Sequence, residues 1–86
     1  MSLFIFKTED KEIAGVDLSQ LMYWELIDNQ ECIALSFYGG GESRVHIANE
    51  KDRQMEFLRL TTALQALDES RDYLSEMFIF GPEERH

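Results

Sequence analysis

The alternation of apolar and polar residues in the middle of the chain constrains its fold more than any other feature. Three segments show this alternation and are predicted as β-strands: Leu21–Ile27, Glu31–Tyr38 and Arg44–Ala48. The turn-forming pair Asp28-Asn29 separates the first two strands, and the glycines Gly39, Gly40 and Gly41 separate the last two. Short strands joined by such polar or glycine-rich links are typical of antiparallel hairpins.

The registers of these two hairpins predict one continuous apolar face. An even-length loop around Asn29-Gln30 and a three-residue loop over residues 40–42 fix the two registers. The opposed pairs are then Leu26 with Ile33, Trp24 with Leu35, Met22 with Phe37, Phe37 with Val45, and Leu35 with Ile47. Because side chains alternate between the two faces of a strand, all of these residues share one face, which needs a cover.

The segment after the third strand is predicted as an amphipathic helix over residues 50–67. Asn49 is a favourable N-cap, and Glu50 and Asp52 place negative charge in the first turn. Apolar residues then recur at spacings of three and four: Phe57, Leu60, Leu64 and Leu67. An apolar stripe with this period suits a helix that packs across the apolar face of the sheet.

The two ends of the chain contain further β-prone segments. Leu3–Lys7 is predicted as a strand that ends at the polar run Thr8–Glu12, and Gly15–Asp17 as a turn. Arg71–Phe80 is predicted as a short helical turn followed by a strand. The sequence therefore predicts a single α+β domain over residues 1–86. It consists of a small antiparallel β-sheet of about four to five strands with one main α-helix packed across one face.

The charge of the chain limits the partners that it can bind. Its 8 Lys and Arg residues against 17 Asp and Glu residues give a net charge of −9. Such a chain repels nucleic-acid phosphates and anionic membrane surfaces. Its longest uncharged stretch, Cys32–Gly41, has ten residues, about half of what a membrane-spanning helix needs. The sequence therefore predicts a protein that binds neither nucleic acid nor membranes directly. Because Cys32 is the lone cysteine, it also predicts a cytoplasmic protein without an internal disulfide.

The face of the predicted sheet opposite the apolar one contains the candidate site. Five residues on it are candidates for binding a ligand or a partner: Tyr23, Ser36, Tyr38, Arg44 and His46. The registers place Tyr23, Ser36 and His46 in one row, and Leu21, Tyr38 and Arg44 in the next. His46 could transfer protons near neutral pH, and Arg44 could hold an anion. The alternative interpretation is the half-solvated back of an antiparallel sheet, or a face that terminal strands or a second subunit cover.

The residue pattern favours a protein without catalytic activity, metal or cofactor. Cys32 and His46 are predicted several residues apart in register, too far for the imidazole to activate the thiol. Ser36 lacks the glycine-flanked turn of a hydrolase nucleophile. Cysteine and histidine do not recur at metal-ligand spacings. Gly39–Gly41 leads into another strand, as a hairpin turn does, whereas a phosphate-binding loop leads into a helix.

The apolar ends of the chain predict self-association. Leu3–Phe6 and Met77–Phe80 are too apolar to remain as free edge strands, which pair readily with other chains. A twofold homodimer across them would also bury part of the candidate face: Tyr23, Ile27, Cys32 and Tyr38. The sequence therefore predicts a small acidic cytoplasmic protein-interaction domain, either a homodimer or the small subunit of an assembly. Two alternatives are a small-molecule or peptide binder that uses the polar face of the sheet, and an acidic decoy of nucleic acid that occupies a basic surface on another protein.

Overall fold

The computed structural model describes residues 2–9 and 11–78, with side chains as far as Asp68. Within these residues, five strands precede one long helix. Their bounds are Leu3–Thr8 (β1), Lys11–Asp17 (β2), Leu21–Ile27 (β3), Cys32–Phe37 (β4), Glu42–His46 (β5) and Glu50–Phe78 (α1). β1 and β2 form one antiparallel sheet, and β3, β4 and β5 form a second one in that order. The predicted α+β class, small antiparallel pairing with one main helix, is confirmed.

Strand β2 corrects the prediction of a polar run and a turn between β1 and β3. Its first three residues are exposed, so only Ala14 and Val16 contact the core, too few to give a recognisable alternation. The chain turns later, in the short 3₁₀ turn Leu18–Gln20. Asp17 begins this turn, because its carboxylate accepts hydrogen bonds from the N–H of Ser19 at 3.0 Å and from the Ser19 hydroxyl at 2.7 Å.

The pairing of β3 with β4 follows the predicted register over most of its length. Two predicted pairs are confirmed: Leu26 with Ile33, and Trp24 with Leu35. The predicted pair of Met22 with Phe37 is wrong, because a bulge places Leu21 opposite Phe37 and leaves Met22 as the extra residue. The bulge directs Leu21 into the core and turns Met22 to solvent, where it is 52% exposed.

The pairing of β4 with β5 is shifted by four residues from the prediction. Val45 lies opposite Ile33 and not opposite Phe37, because the hairpin turn comes two residues earlier than predicted. The glycines at residues 39–40 take the positive φ angles, 94° and 96°, that a tight turn requires. The turn closes where the N–H of Phe37 donates to the carbonyl of Gly41 at 2.8 Å. A shift by an even number of residues leaves the same side chains on the apolar face.

Helix α1 begins as predicted and ends later. The Asn49 side chain accepts the N–H of Asp52 at 2.9 Å, which is the expected N-cap. The helix continues to Phe78, so the strand predicted after a helical turn in residues 71–80 is wrong as far as residue 78, and residues 79–80 lie outside the described part of the chain. The apolar spacing of three and four extends to Leu74 and Phe78, and neither glycine nor proline occurs within α1 to stop it.

One hydrophobic core joins both sheets to α1. Its buried residues are Phe4, Phe6, Val16, Leu18, Leu21, Ile33, Leu35, Val45, Ile47, Leu60 and Leu64. Leu60 and Leu64 belong to the predicted helical stripe, and their burial confirms that this stripe faces the core. Trp24 is tied to the helix because its indole N–H donates to the Thr61 hydroxyl at 3.0 Å. The helix therefore covers one side of the three-stranded sheet, and the candidate residues lie on the other side.

Candidate functional site

The side of the β3–β4–β5 sheet that points away from the core carries nine residues in three rows, and we call this surface the outer face. The observed registers align its side chains across the three strands. The rows are Tyr23, Ser36 and Glu42; then Glu25, Ala34 and Arg44; and then Ile27, Cys32 and His46. Most side chains of the two edge strands are exposed, and those of the central strand are buried or half-buried.

The structure places the five predicted site residues on or beside the outer face but does not bring them together. Tyr23 lies opposite Ser36, as predicted. The shift of β5 moves His46 to the far row and separates Arg44 from Tyr38, so the predicted rows are wrong for both β5 residues. Because successive residues on one face of a strand are about 7 Å apart, the candidates are spread over the sheet.

Three large exposed side chains lie where the bulge of β3 approaches the β4–β5 turn, and we call Met22, Tyr23 and Tyr38 the aromatic corner. The N–H of Tyr38 donates to the carbonyl of Gln20 at 2.9 Å, which fixes the turn beside the start of β3. Tyr23 lies opposite Ser36, two residues before Tyr38, so the two tyrosines occupy diagonal positions. The exposed fractions of Met22, Tyr23 and Tyr38 are 52%, 56% and 60%. Sequence reasoning missed Met22, because it placed this residue on the apolar face.

The guanidinium of Arg44 is occupied within the sheet. Its Nη1 donates to Oε1 of Gln30 at 2.6 Å and lies 3.8 Å from Sγ of Cys32. Arg44 therefore lies over the thiol of Cys32, which is fully buried. An anion held by Arg44 as predicted would share the guanidinium with Gln30, which already binds its Nη1.

Cys32 and His46 are direct partners across β4 and β5, which corrects the prediction that they lie several residues apart. Their register alone would allow a thiol and an imidazole to meet. A nucleophilic cysteine, however, needs at least partial exposure, and the side chain of Cys32 has none. The pairing therefore does not supply a reactive thiol.

A shallow open cleft of about 260 Å³ lies where β1, β5 and α1 meet. It is lined by Thr8, Glu9, His46, Ile47, Ala48, Asn49 and Asp52. Of the five predicted site residues, only His46 reaches it, and its volume lies below the roughly 300–1,000 Å³ of a small-molecule site. Within residues 2–9 and 11–78, His, Cys, Asp and Glu do not form a group of three that could hold a metal ion.

The buried cation Arg53 fixes the end of the sheet behind this cleft. Its Nε donates to Oδ1 of Asp28 at 2.9 Å, in the turn between β3 and β4. Its Nη1 donates to the carbonyls of Ile47 and Ala48 at 2.8 and 3.3 Å. The side chain is only 4% exposed, so these contacts replace its hydration.

Two helix side chains bind the backbone of β1. Glu56 accepts the N–H of Lys7 at 2.7 Å, and Arg59 donates to the carbonyl of Ile5. Arg59 also donates to Glu56 at 2.6 Å and lies 4.3 Å from the ring centre of Phe4. Burial acts to raise the pKa of Glu56, but the hydrogen bonds from Arg59 and Lys7 outweigh it and hold that pKa below its ordinary value. The same ion pair raises the pKa of Arg59.

Comparison with known proteins gives no identity to this chain. No protein-family model matches it, and no curated protein or solved structure shows significant similarity to it. In the described residues, no helix has the length and apolar character needed to cross a membrane.

Proposed function

We propose that the protein is a small protein-interaction domain without catalytic activity, and that it contacts its partner through the outer face. The observation that carries this proposal is the aromatic corner, where Met22, Tyr23 and Tyr38 are each more than half exposed. Tyrosine and methionine are enriched in protein–protein interfaces. Large apolar side chains that lie together on the surface of a small domain mark an interaction site.

The arrangement of the candidate residues supports a protein partner better than a small ligand. Small-molecule sites are concave and bring a few polar groups together. Here Tyr23 and Ser36 lie two rows away from His46, and Arg44 is engaged by Gln30. A spread of exposed groups over one sheet face suits contact with a second surface or strand.

A second copy of the chain is one partner expected from the sequence, but the structure changes the reason for expecting it. The apolar segment Leu3–Phe6 does not need a second subunit to cover it, because Phe4 and Phe6 are buried within the subunit and α1 side chains bind the β1 backbone. The other segment, Met77–Phe80, extends beyond the described residues. The homodimer stays a proposal, with its interface at the aromatic corner and not at β1.

The test truncates the two tyrosines of the aromatic corner and measures binding. Tyr23→Ala and Tyr38→Ala should each weaken association about tenfold, whether with a second copy or with a protein retained from the native cell lysate, because aromatic residues dominate interface energetics. Both side chains are exposed, so the melting temperature should stay near that of the wild type. Met55→Ala, at a helix residue 59% exposed, is the matched control. Association that neither tyrosine substitution changes contradicts the proposal.

A further inference from the structure

We infer that a second copy of this chain pairs with the open edge of β3, as an antiparallel strand pair centred on Trp24 that joins two three-stranded sheets into one. This inference rests on the proposed function and names the partner and the strand that it uses. Edge strands present unpaired backbone N–H and C=O groups, and natural proteins protect most edges against such pairing. The four edges of this fold differ in how they are protected.

The edge of β1 is occupied from within the subunit. Glu56 takes the N–H of Lys7, and Arg59 reaches the carbonyl of Ile5. Lys7 and Ile5 are two residues apart, so their backbone groups point to the same side of the strand. A second chain would have to displace both helix side chains in order to pair there.

The edges of β5 and β2 are protected by charge and by irregularity. Every β5 residue on the outer face is polar or charged, namely Glu42, Arg44 and His46. β2 begins with Lys11 and Glu12 and has a register shift against β1 near its start. Charged side chains and bulges are the devices by which edge strands avoid pairing.

Within residues 2–9 and 11–78, the backbone N–H and C=O groups of Trp24 and Leu26 have no hydrogen-bond partner. The N–H of Tyr38 donates to the chain just before β3 at 2.9 Å, so the backbone of Tyr38 faces β3. The backbone of Ser36, two residues earlier, therefore faces β3 as well, and its partner Tyr23 faces β4. Since backbone direction alternates along a strand, the N–H and C=O groups of Trp24 and Leu26 point to the open edge.

The side chains of β3 make this edge the apolar one. Its seven residues contain a single charge, Glu25, and no proline. Met22 and Tyr23 are exposed on it, and Trp24 and Leu26 are only half-buried against the core. A strand of this length and composition at the end of a sheet is a template for pairing.

Charge selects the register of the pair. Pairing centred on Glu25 would set the carboxylates of the two copies directly opposite each other, which is unfavourable in a sheet. Pairing centred on Trp24 sets Glu25 opposite Tyr23 of the partner subunit, whose hydroxyl can donate to the carboxylate. It also sets Leu26 against Met22 of the partner subunit.

Sedimentation equilibrium of the full chain tests the use of β3. At physiological ionic strength the wild type should approach twice its monomer mass of 10.1 kDa as the concentration rises. Met22→Lys and Tyr23→Glu should raise the dissociation constant by about tenfold or more, because the first sets an ammonium group against Leu26 of the partner subunit and the second sets a carboxylate opposite Glu25 of the partner subunit. Met55→Lys, at a residue of α1 that is 59% exposed, should leave it unchanged, and all three variants should melt near the wild-type temperature.

Two results would overturn the inference. One is a mass of 10.1 kDa at every concentration, and the other is a dimer that tolerates both β3 substitutions. If the wild type is monomeric but Tyr23→Ala abolishes the binding of a different protein, the second copy is excluded and the proposed function stands. If Tyr23→Ala changes no association of any kind, the proposed function fails too.

Disulfide trapping tests the register separately. In a mixture of Tyr23→Cys and Glu25→Cys chains, pairing centred on Trp24 sets the two new thiols opposite each other, within the distance that a disulfide requires. Oxidation should therefore give the mixed dimer in preference to either homodimer. A preference for the Glu25→Cys homodimer would contradict the register centred on Trp24.

Discussion

At the scale of single residues, Arg53 holds three parts of the chain at one point. It binds Asp28 in the β3–β4 turn and the carbonyls of Ile47 and Ala48 after β5, while its own backbone lies in the first turns of α1. Because the contact with the carbonyl of Ile47 is buried, removal of the guanidinium would leave that carbonyl without this donor. Arg53 is therefore a structural cation and not part of a binding surface.

Replacement of Arg53 should destabilise the fold strongly. Arg53→Met keeps much of the apolar stem and removes the donors, so the free energy of unfolding should fall by about 2–4 kcal/mol. Urea unfolding followed by circular dichroism measures the change. Lys51→Met removes the same charge from an exposed position on the same helix, and a comparable loss there would show that burial of Arg53 is not the cause.

Glu56 should make the stability depend on pH. Its pKa is lower in the folded protein than the ordinary value of 4.5, so the stabilisation is present above that value and is lost as the pH falls through the folded pKa. The difference in unfolding free energy between the wild type and Glu56→Gln should therefore shrink between about pH 7 and pH 3. A difference that stays constant over this interval would contradict the ion pair with Arg59 as its source.

The sequence predicts the positions of the candidate residues on β3 and β4 better than the positions of those on β5. Tyr23 and Ser36 are correctly opposed, because the β3–β4 register depends on one short loop. His46 and Arg44 are misplaced, because three successive glycines allow the β5 turn to form at more than one position. Arg53 lies on the same helical stripe as the core leucines, which is a usable signal, but its partners are backbone carbonyls that no sequence pattern specifies.

At the scale of elements, the β4–β5 turn fixes which outer-face residues are neighbours. Gly40 has a φ of 96°, which only glycine adopts easily, whereas Gly41 lies outside the positive-φ region. A Cβ added at Gly41 would lie 3.9 Å from a side-chain atom of Phe37, an ordinary contact distance. Gly40→Ala should reduce the unfolding free energy by about 1 kcal/mol or more, and Gly41→Ala should change it little. Thermal melting of the two variants makes the comparison. Equal effects would contradict the position of the turn.

Elements with a strong period are predictable here, and elements without one are not. The alternation in β3 and β4 and the regular apolar stripe of α1 predict these three elements from the sequence. β2 contributes only two residues to the core, and Asp17 determines where it ends through a local hydrogen bond to Ser19. The end of α1 is harder to predict, because Asp68 and Ser70 are weak helix formers that lower the local helix preference without ending the helix.

At the scale of the whole molecule, one helix covers one side of the three-stranded sheet and leaves the other open. The net charge of −9 acts against the association of two copies. Raising the ionic strength from about 0.1 M to about 1 M shortens the screening length from about 10 Å to about 3 Å. The repulsion between the two acidic copies should therefore weaken, and the dissociation constant of the homodimer should fall as salt is added. Sedimentation equilibrium at the two ionic strengths measures this change. A complex that weakens steeply with salt would indicate a basic partner, as the decoy alternative requires.

The most direct test of the account is a concentration series of ¹⁵N-resolved NMR spectra on the full chain. As the dimer forms, the amide signals of Met22, Tyr23, Trp24 and Leu26 should shift together, with one midpoint. The amide signals of Met55 on α1 and Lys7 on β1 should stay in place, because Met55 lies next to the helix residue that binds β1 and Lys7 belongs to β1 itself. Concentration-dependent shifts that centre on β1 or α1, or spectra that do not change over the whole series, would contradict the claim that this protein associates through β3 and the outer face.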